Sequence, residues 1–163
     1  SQQFKLRRLT MALRSIVKYG DPILREKCSE VKMFNERLGI VIDDMKETMI
    51  KADGVGLAAP QIGMLRRICV VSLDGEEFYE LVNPVIVKSS GTQCKIEGCL
   101  SIPGEQANII RPNCVVVDAA DRTGQVYRYK AHGDLARVFC HEIDHLDGIL
   151  FIDREHGEGG DNE

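Results

Sequence analysis

The sequence predicts an α+β domain in which short antiparallel β-sheets pack around a C-terminal HExxH helix, with one further helix nearer the N-terminus. Two observations carry most of that prediction. Apolar residues recur at helical spacing in two stretches, 35–51 and 135–146, one near each end. The residues between them break into short apolar runs separated by turn dipeptides, which read as hairpins rather than βαβ units. No internal repeat or linker divides the chain.

The elements follow in order. Asn35 to Lys51 places Leu38, Val41, Ile42, Met45 and Met49 on one helical stripe that reads as core, with Asn35 as cap and Gly54 just past the end. Arg67 to Leu73 (RICVVSL) reads as a buried strand. Asp74-Gly75 turns it into Glu77–Val82, and Asn83-Pro84 breaks the chain before Val85–Lys88. Asn113–Ala119 and Gln125–Lys130 form a second hairpin across Asp121-Arg122-Thr123-Gly124. Gly133-Asp134 opens the last helix, Asp134 as its cap, and Gly148 closes it. Leu135, Phe139, Ile143 and Leu146 face the core there. His141 and His145 share an adjoining arc, with Val138 and Glu142 between it and the apolar stripe.

Ser1 to Thr10 precedes Met11 and reads as a leader or expression remnant. Residues 11–154 read as one catalytic domain, and 155–163 as a flexible, acidic, glycine-rich tail. At 163 residues, roughly 70% of the unfolded chain's surface can be buried. A formal charge of −4 excludes nucleic acid and acidic membrane as main partners, and no apolar run reaches the ~20 residues a membrane helix needs. Six cysteines without a CxxC pair read as reduced thiols of a cytosol-like compartment. Five of them (Cys28, Cys69, Cys94, Cys114, Cys140) read as small core residues.

His141-Glu142-Ile143-Asp144-His145 carries the chemistry. An HExxH run on a helix sets two imidazoles one turn apart as ligands of one metal, and the glutamate can serve a water there as general base. A third ligand is required. Phe151 stands where a metzincin would place it, and His156 and Glu163 lie in the polar tail. Upstream, His132 is close in sequence, and Cys99 sits in a tight glycine-containing segment, 97–101. Cysteine with two histidines and an open fourth position is a catalytic arrangement for zinc or ferrous iron. Gly54 to Gln61 (GVGLAAPQ) lacks the third glycine of a dinucleotide loop. Its small residues let backbone lie close to a ligand, and Gln61 offers an amide to a developing oxyanion.

GVGLAAPQ, EGCLS and HEIDH, in that order, resemble the three motifs of the peptide deformylases, and the likeness runs from about Met11 to Arg154, including GDPILR and HLDGILFIDR. The resemblance implies hydrolytic removal of the formyl group from the N-terminal N-formylmethionine of nascent chains, releasing formate. It implies Cys99, His141 and His145 as metal ligands and Glu142 as general base and then acid. Gln61 and the Leu100 N–H become the oxyanion donors, Gly56 the residue whose backbone lies along the substrate, and Glu97 with Arg111 a supporting ion pair. Val55 and Val138 are the expected walls of the methionine pocket. One divalent ion is expected per chain, Fe2+ natively, with Zn2+, Ni2+ or Co2+ also accommodated. The expected partners are formylated nascent peptides met near the ribosome, though an acidic tail is repelled by ribosomal RNA. The expected place is a bacterial-type cytoplasm or an organelle.

Overall fold

The computed structural model describes residues 12–155. The expected leader and all of the expected tail but Glu155, with His156 and Glu163, lie outside them. Helix α1 spans Glu36–Lys51 and helix α2 Gly133–Leu146. Between them run β1 (Gly56–Ala58), β2 (Ile68–Val71), β3 (Tyr79–Ser90), β4 (Gln93–Cys99), β5 (Ile102–Arg111), β6 (Cys114–Ala120) and β7 (Val126–His132). A five-stranded antiparallel sheet has the order β1-β2-β3-β6-β7, while β4 and β5 pair as a separate ribbon. The α+β expectation holds.

Within RICVVSL, Ile68–Val71 is continuously apolar because β2 is covered on both faces. Ile68 and Val70 pack with α1 residues Leu38, Ile42, Met45 and Met49, while Cys69 and Val71 pack with α2 residues Phe139, Ile143 and Leu146. Strand alternation sends successive side chains to opposite faces, so a central strand under two helices needs no polar residue. A third cluster, Leu24, Ile102, Ile109, Leu150 and Phe151, closes the space under the ribbon. The Asn35 side chain caps α1 by accepting from the Leu38 N–H at 3.2 Å. Asp44 and Thr48, buried on α1, take the backbone N–H groups of Ala12 and Arg14. Gly148 ends α2 at φ +72°, where a Cβ would also run into the Arg25 carbonyl.

Several expectations need correction. Asn83-Pro84 does not break the strand: β3 runs through it on a bulge, with the register shifting between Val82 and Val85. Asn83 tolerates φ 51°, and its side-chain amide bonds both the N–H and the C=O of Val31 at 2.8 and 2.9 Å. Asp134 is not the cap of α2. His132 occupies that position, the Gly133 N–H is taken by the Asn113 carbonyl, and Lys95 draws the Asp134 carboxylate outward at 3.0 Å. Cys28, Cys69 and Cys140 are buried, whereas Cys94 is exposed and Cys114 half-buried, because both sit on outward-facing positions of their strands. Glu155, the first residue of the expected tail, bridges to Ile109.

Candidate metal centre

The end of β4 and the middle of α2 meet beneath the ribbon. Cys99 Sγ lies 3.4 Å from His145 Nε2, and the donor atoms of Cys99, His141 and His145 all fall within 4.8 Å of one another. A tetrahedral ion with one thiolate and two imidazoles needs S···N separations of about 3.6 Å, from bond lengths near 2.3 and 2.0–2.1 Å. The Cys99–His145 separation is close to that value, and the three side chains together are near enough to hold one ion. Exposed His132 bonds Cys114 Sγ at 3.0 Å instead and does not join them, so among the described residues the closed four-ligand alternative finds no fourth ligand.

The electrostatics follow from burial. Glu97 is 1% exposed, and burial alone would raise its pKa; hydrogen bonds from His141 and Arg111 instead hold it at about 2. A carboxylate only accepts, so His141 Nδ1, 2.8 Å from Glu97 Oε1, carries the proton, which leaves Nε2 as the ring atom that could ligate an ion. Burial opposes charge on His141, but bonds to Cys99 and Glu97 raise it to about 10, so a metal must displace a proton to bind. His145 moves the opposite way: burial, reinforced by His141 and Arg111, lowers it well below its ordinary value. Glu142, 3% exposed, is pushed up to about 7 by burial, although His141 and Arg111 pull against it. Its Oε2 has no partner. A carboxylate poised near neutrality beside a candidate metal site has what a general base requires.

Gln61 is fixed from both ends of its amide. Oε1 accepts the Ala58 N–H at 2.9 Å, which turns Nε2 toward Ser101 Oγ at 3.1 Å and Cys99 Sγ at 3.6 Å. The segment Val17–Tyr19 straps this region together. Val17 N–H bonds the Gln61 carbonyl and Tyr19 N–H the Ser101 carbonyl, each at 2.7 Å, and Lys18 Nζ reaches the Leu100 carbonyl at 3.2 Å. Arg111 grips Glu97 through two nitrogens at 2.9 and 3.0 Å and Asp144 through a third at 2.7 Å.

A cleft of about 640 Å³ opens over these groups, lined among others by Val55, Gly56, Gln61, Leu100, Val138 and Glu142. Every expected site residue except the supporting pair Glu97 and Arg111 and the ligand His145 lines it. Val138 is 3% exposed and forms the deep wall, and Val55, 42% exposed, stands at the rim. Gly56 is required by space: a Cβ there would lie 2.8 Å from Glu142 Cγ and 3.0 Å from Val138 Cγ1. Sequence reasoning missed Ser101, Asp144, Arg137 and Glu105. Asp144 stands inside HEIDH, one helical turn from His141 toward Arg111, and its position was a usable signal. Arg137 and Glu105 line the cleft without any pattern that marks them.

A family model for polypeptide deformylase matches residues 13–159. The chain belongs to the polypeptide deformylase family. Among its relatives, the peptide deformylase of Caldicellulosiruptor bescii is 53% identical over 144 residues, 88% of this chain and 86% of that protein. The peptide deformylase of Heliobacterium modesticaldum is 54% identical over the same length, covering 88% and 95%. Among solved structures, a peptide deformylase from Legionella pneumophila aligns with TM-score 0.87 at 43% identity, over 89% of this chain and 87% of that one. That from Thermotoga maritima aligns with TM-score 0.87 at 38% identity, over 90% and 99%.

Proposed function

We propose that residues 11–154 form one catalytic domain that removes the formyl group from N-formylmethionyl nascent peptides and releases formate. The observation that carries this reading is Cys99, His141 and His145 converging beside buried Glu142 at the floor of the cleft, within a chain of this family. The ion is ferrous iron, which suits one thiolate and two imidazoles, as zinc, nickel or cobalt would. When bound, it supplies a Lewis acid that polarises the formyl carbonyl and acidifies a water.

The chain's own residues do the rest. Glu142, raised to about 7, accepts the proton of the attacking water. Gln61 Nε2 and the Leu100 N–H donate to the formyl oxygen as it becomes an alkoxide, each worth ~3–4 kcal/mol of transition-state stabilisation. Glu142 then delivers its proton to the departing amine nitrogen. The backbone of Gly56 lies along the substrate, and Val55 and Val138 wall the methionine side chain. Glu97 and Arg111 keep the β4 end and α2 in register, and Glu97 holds the His141 ring. None of the helices among the described residues is long and apolar enough to cross a membrane. The compartment we infer is the cytoplasm of a bacterial-type cell.

Ligand and base are separable. Cys99→Ala should lose metal and formate release together. Glu142→Ala should keep about one metal per chain and still bind a formylated peptide, yet turn over ~10²–10⁴-fold more slowly, with Glu142→Asp between. Elemental analysis paired with formate release reads both. A Cys99→Ala protein with its full metal content would overturn the ligand set.

A further inference from the structure

Cys114 and His132 face each other directly across β6 and β7, and neither lines the cleft. Cys114 Sγ lies 3.0 Å from His132 Nδ1, and the Asn113 side-chain amide approaches the sulfur at 3.8 Å. The pair sits on the sheet face that α2 does not cover, since Val115 and Val117, of opposite parity, are the residues packed in the α2 core. Cys114 is half-buried and His132 exposed, so the sulfur is reachable.

Two cations share this face. Lys88 and Lys130 both pair with Val116, two residues along β6 from Cys114, which places them as diagonal neighbours at about 7–8 Å between backbones. Both are exposed. A thiol with a base in contact and two lysines beside it is built to attack a soft, negatively charged electrophile.

We propose that Cys114, with His132 as its base, is a surface thiol that exchanges with anionic low-molecular-weight disulfides. The Cys114 proton passes to His132 Nδ1, and Sγ attacks one sulfur of the disulfide. A new S–S bond forms to Cys114 as the old one breaks, and the departing thiolate takes the proton back from His132. The products are a mixed disulfide on the chain, in which Cys114 is oxidised, and one free thiol, in which a sulfur of the reagent is reduced; the small disulfide is itself the oxidant. Lys88 and Lys130 draw the anion in.

Cys94 is the internal control. It is more exposed than Cys114, and among the described residues no imidazole contacts it. Metal-loaded protein is exposed to glutathione disulfide at fixed pH, and adducts are followed by peptide mass spectrometry. Cys114 should react about tenfold faster than Cys94, a modest share of what an adjacent base supplies. His132→Gln, or His132→Asn should the first variant fold poorly, should bring Cys114 to the Cys94 rate. Lys88→Gln with Lys130→Gln should slow glutathione disulfide and spare the cationic disulfide cystamine. Equal rates at Cys94 and Cys114, or a Cys114 rate indifferent to His132, would overturn the proposal. A pair of lysine substitutions that slowed both reagents alike would overturn its preference for anions.

Discussion

Gly56→Ala is a one-atom test of how the general base is placed. The added Cβ would stand 2.8 Å from Glu142 Cγ, 2.9 Å from Glu142 Cδ and 3.0 Å from Val138 Cγ1. Carbon pairs settle at about 3.5–4.0 Å, so the side chains must retreat by roughly 0.7 Å or more. Gly56 is held in β1 by pairing to Val71, and Val138 is packed in the α2 core, so the Glu142 carboxylate gives way first. A displacement near 1 Å in a reacting group costs on the order of 10²-fold, within the ~10²–10⁴-fold that a general base supplies. We therefore expect kcat for formate release from a formyl-methionyl peptide to fall about 10–100-fold. Metal content should be unchanged, because neither the Cys99 sulfur nor the histidine rings are touched. Overpacking should cost ~1–3 kcal/mol, seen as a fall of several degrees in Tm. Wild-type kcat in Gly56→Ala, alongside an inactive Glu142→Ala, would refute the reasoning. A rise in KM alone would assign Gly56 to the substrate backbone and not to the base.

Two further outcomes test the supporting charges. Burial would raise Glu80, but hydrogen bonds from Arg122 and Lys46 hold it at about 2, below its ordinary 4.5. Its stabilisation is therefore complete above about pH 5 and lost as pH falls toward 2, so the ~1–3 kcal/mol by which wild type exceeds Glu80→Gln in urea denaturation at pH 7 should shrink by pH 3; an unchanged gap would count against it. Arg111→Met leaves the fully buried Glu97 carboxylate without its guanidinium, and should cost ~3–5 kcal/mol in chemical denaturation, with Arg111→Lys less severe. A loss under 1 kcal/mol would mean that His141 alone satisfies Glu97.

The site was more legible than the frame that carries it. HEIDH offers two imidazoles one helical turn apart by its spacing alone, whereas Cys99 was one of several candidates for a third donor until the resemblance to the deformylases singled it out. Both helices were readable from their stripes, since α1 and α2 each bury one face. What escaped depended on partners distant in sequence. Asn83 looks like a breaker until Val31 is seen to satisfy its amide, and Asp134 looks like a cap until Lys95 takes its carboxylate. Pairing of β4 with β5 was unassigned, because the outward face of that ribbon carries exposed Cys94, Ile96 and Ile110 and blurs the alternation. Ser101 stands at the end of EGCLS, but only the turned amide of Gln61 shows what its hydroxyl meets.

The Val17–Tyr19 strap makes the two amide-bearing segments fray as one. Its backbone ties the Gln61 and Ser101 carbonyls, which stand 40 positions apart in sequence, and its lysine reaches the carbonyl between them. Local opening of this strap would release both tethers in a single event. Slow hydrogen exchange at the Val17 and Tyr19 amides thus becomes a measure of how long the reactive geometry survives between openings, read at residues that never touch a substrate.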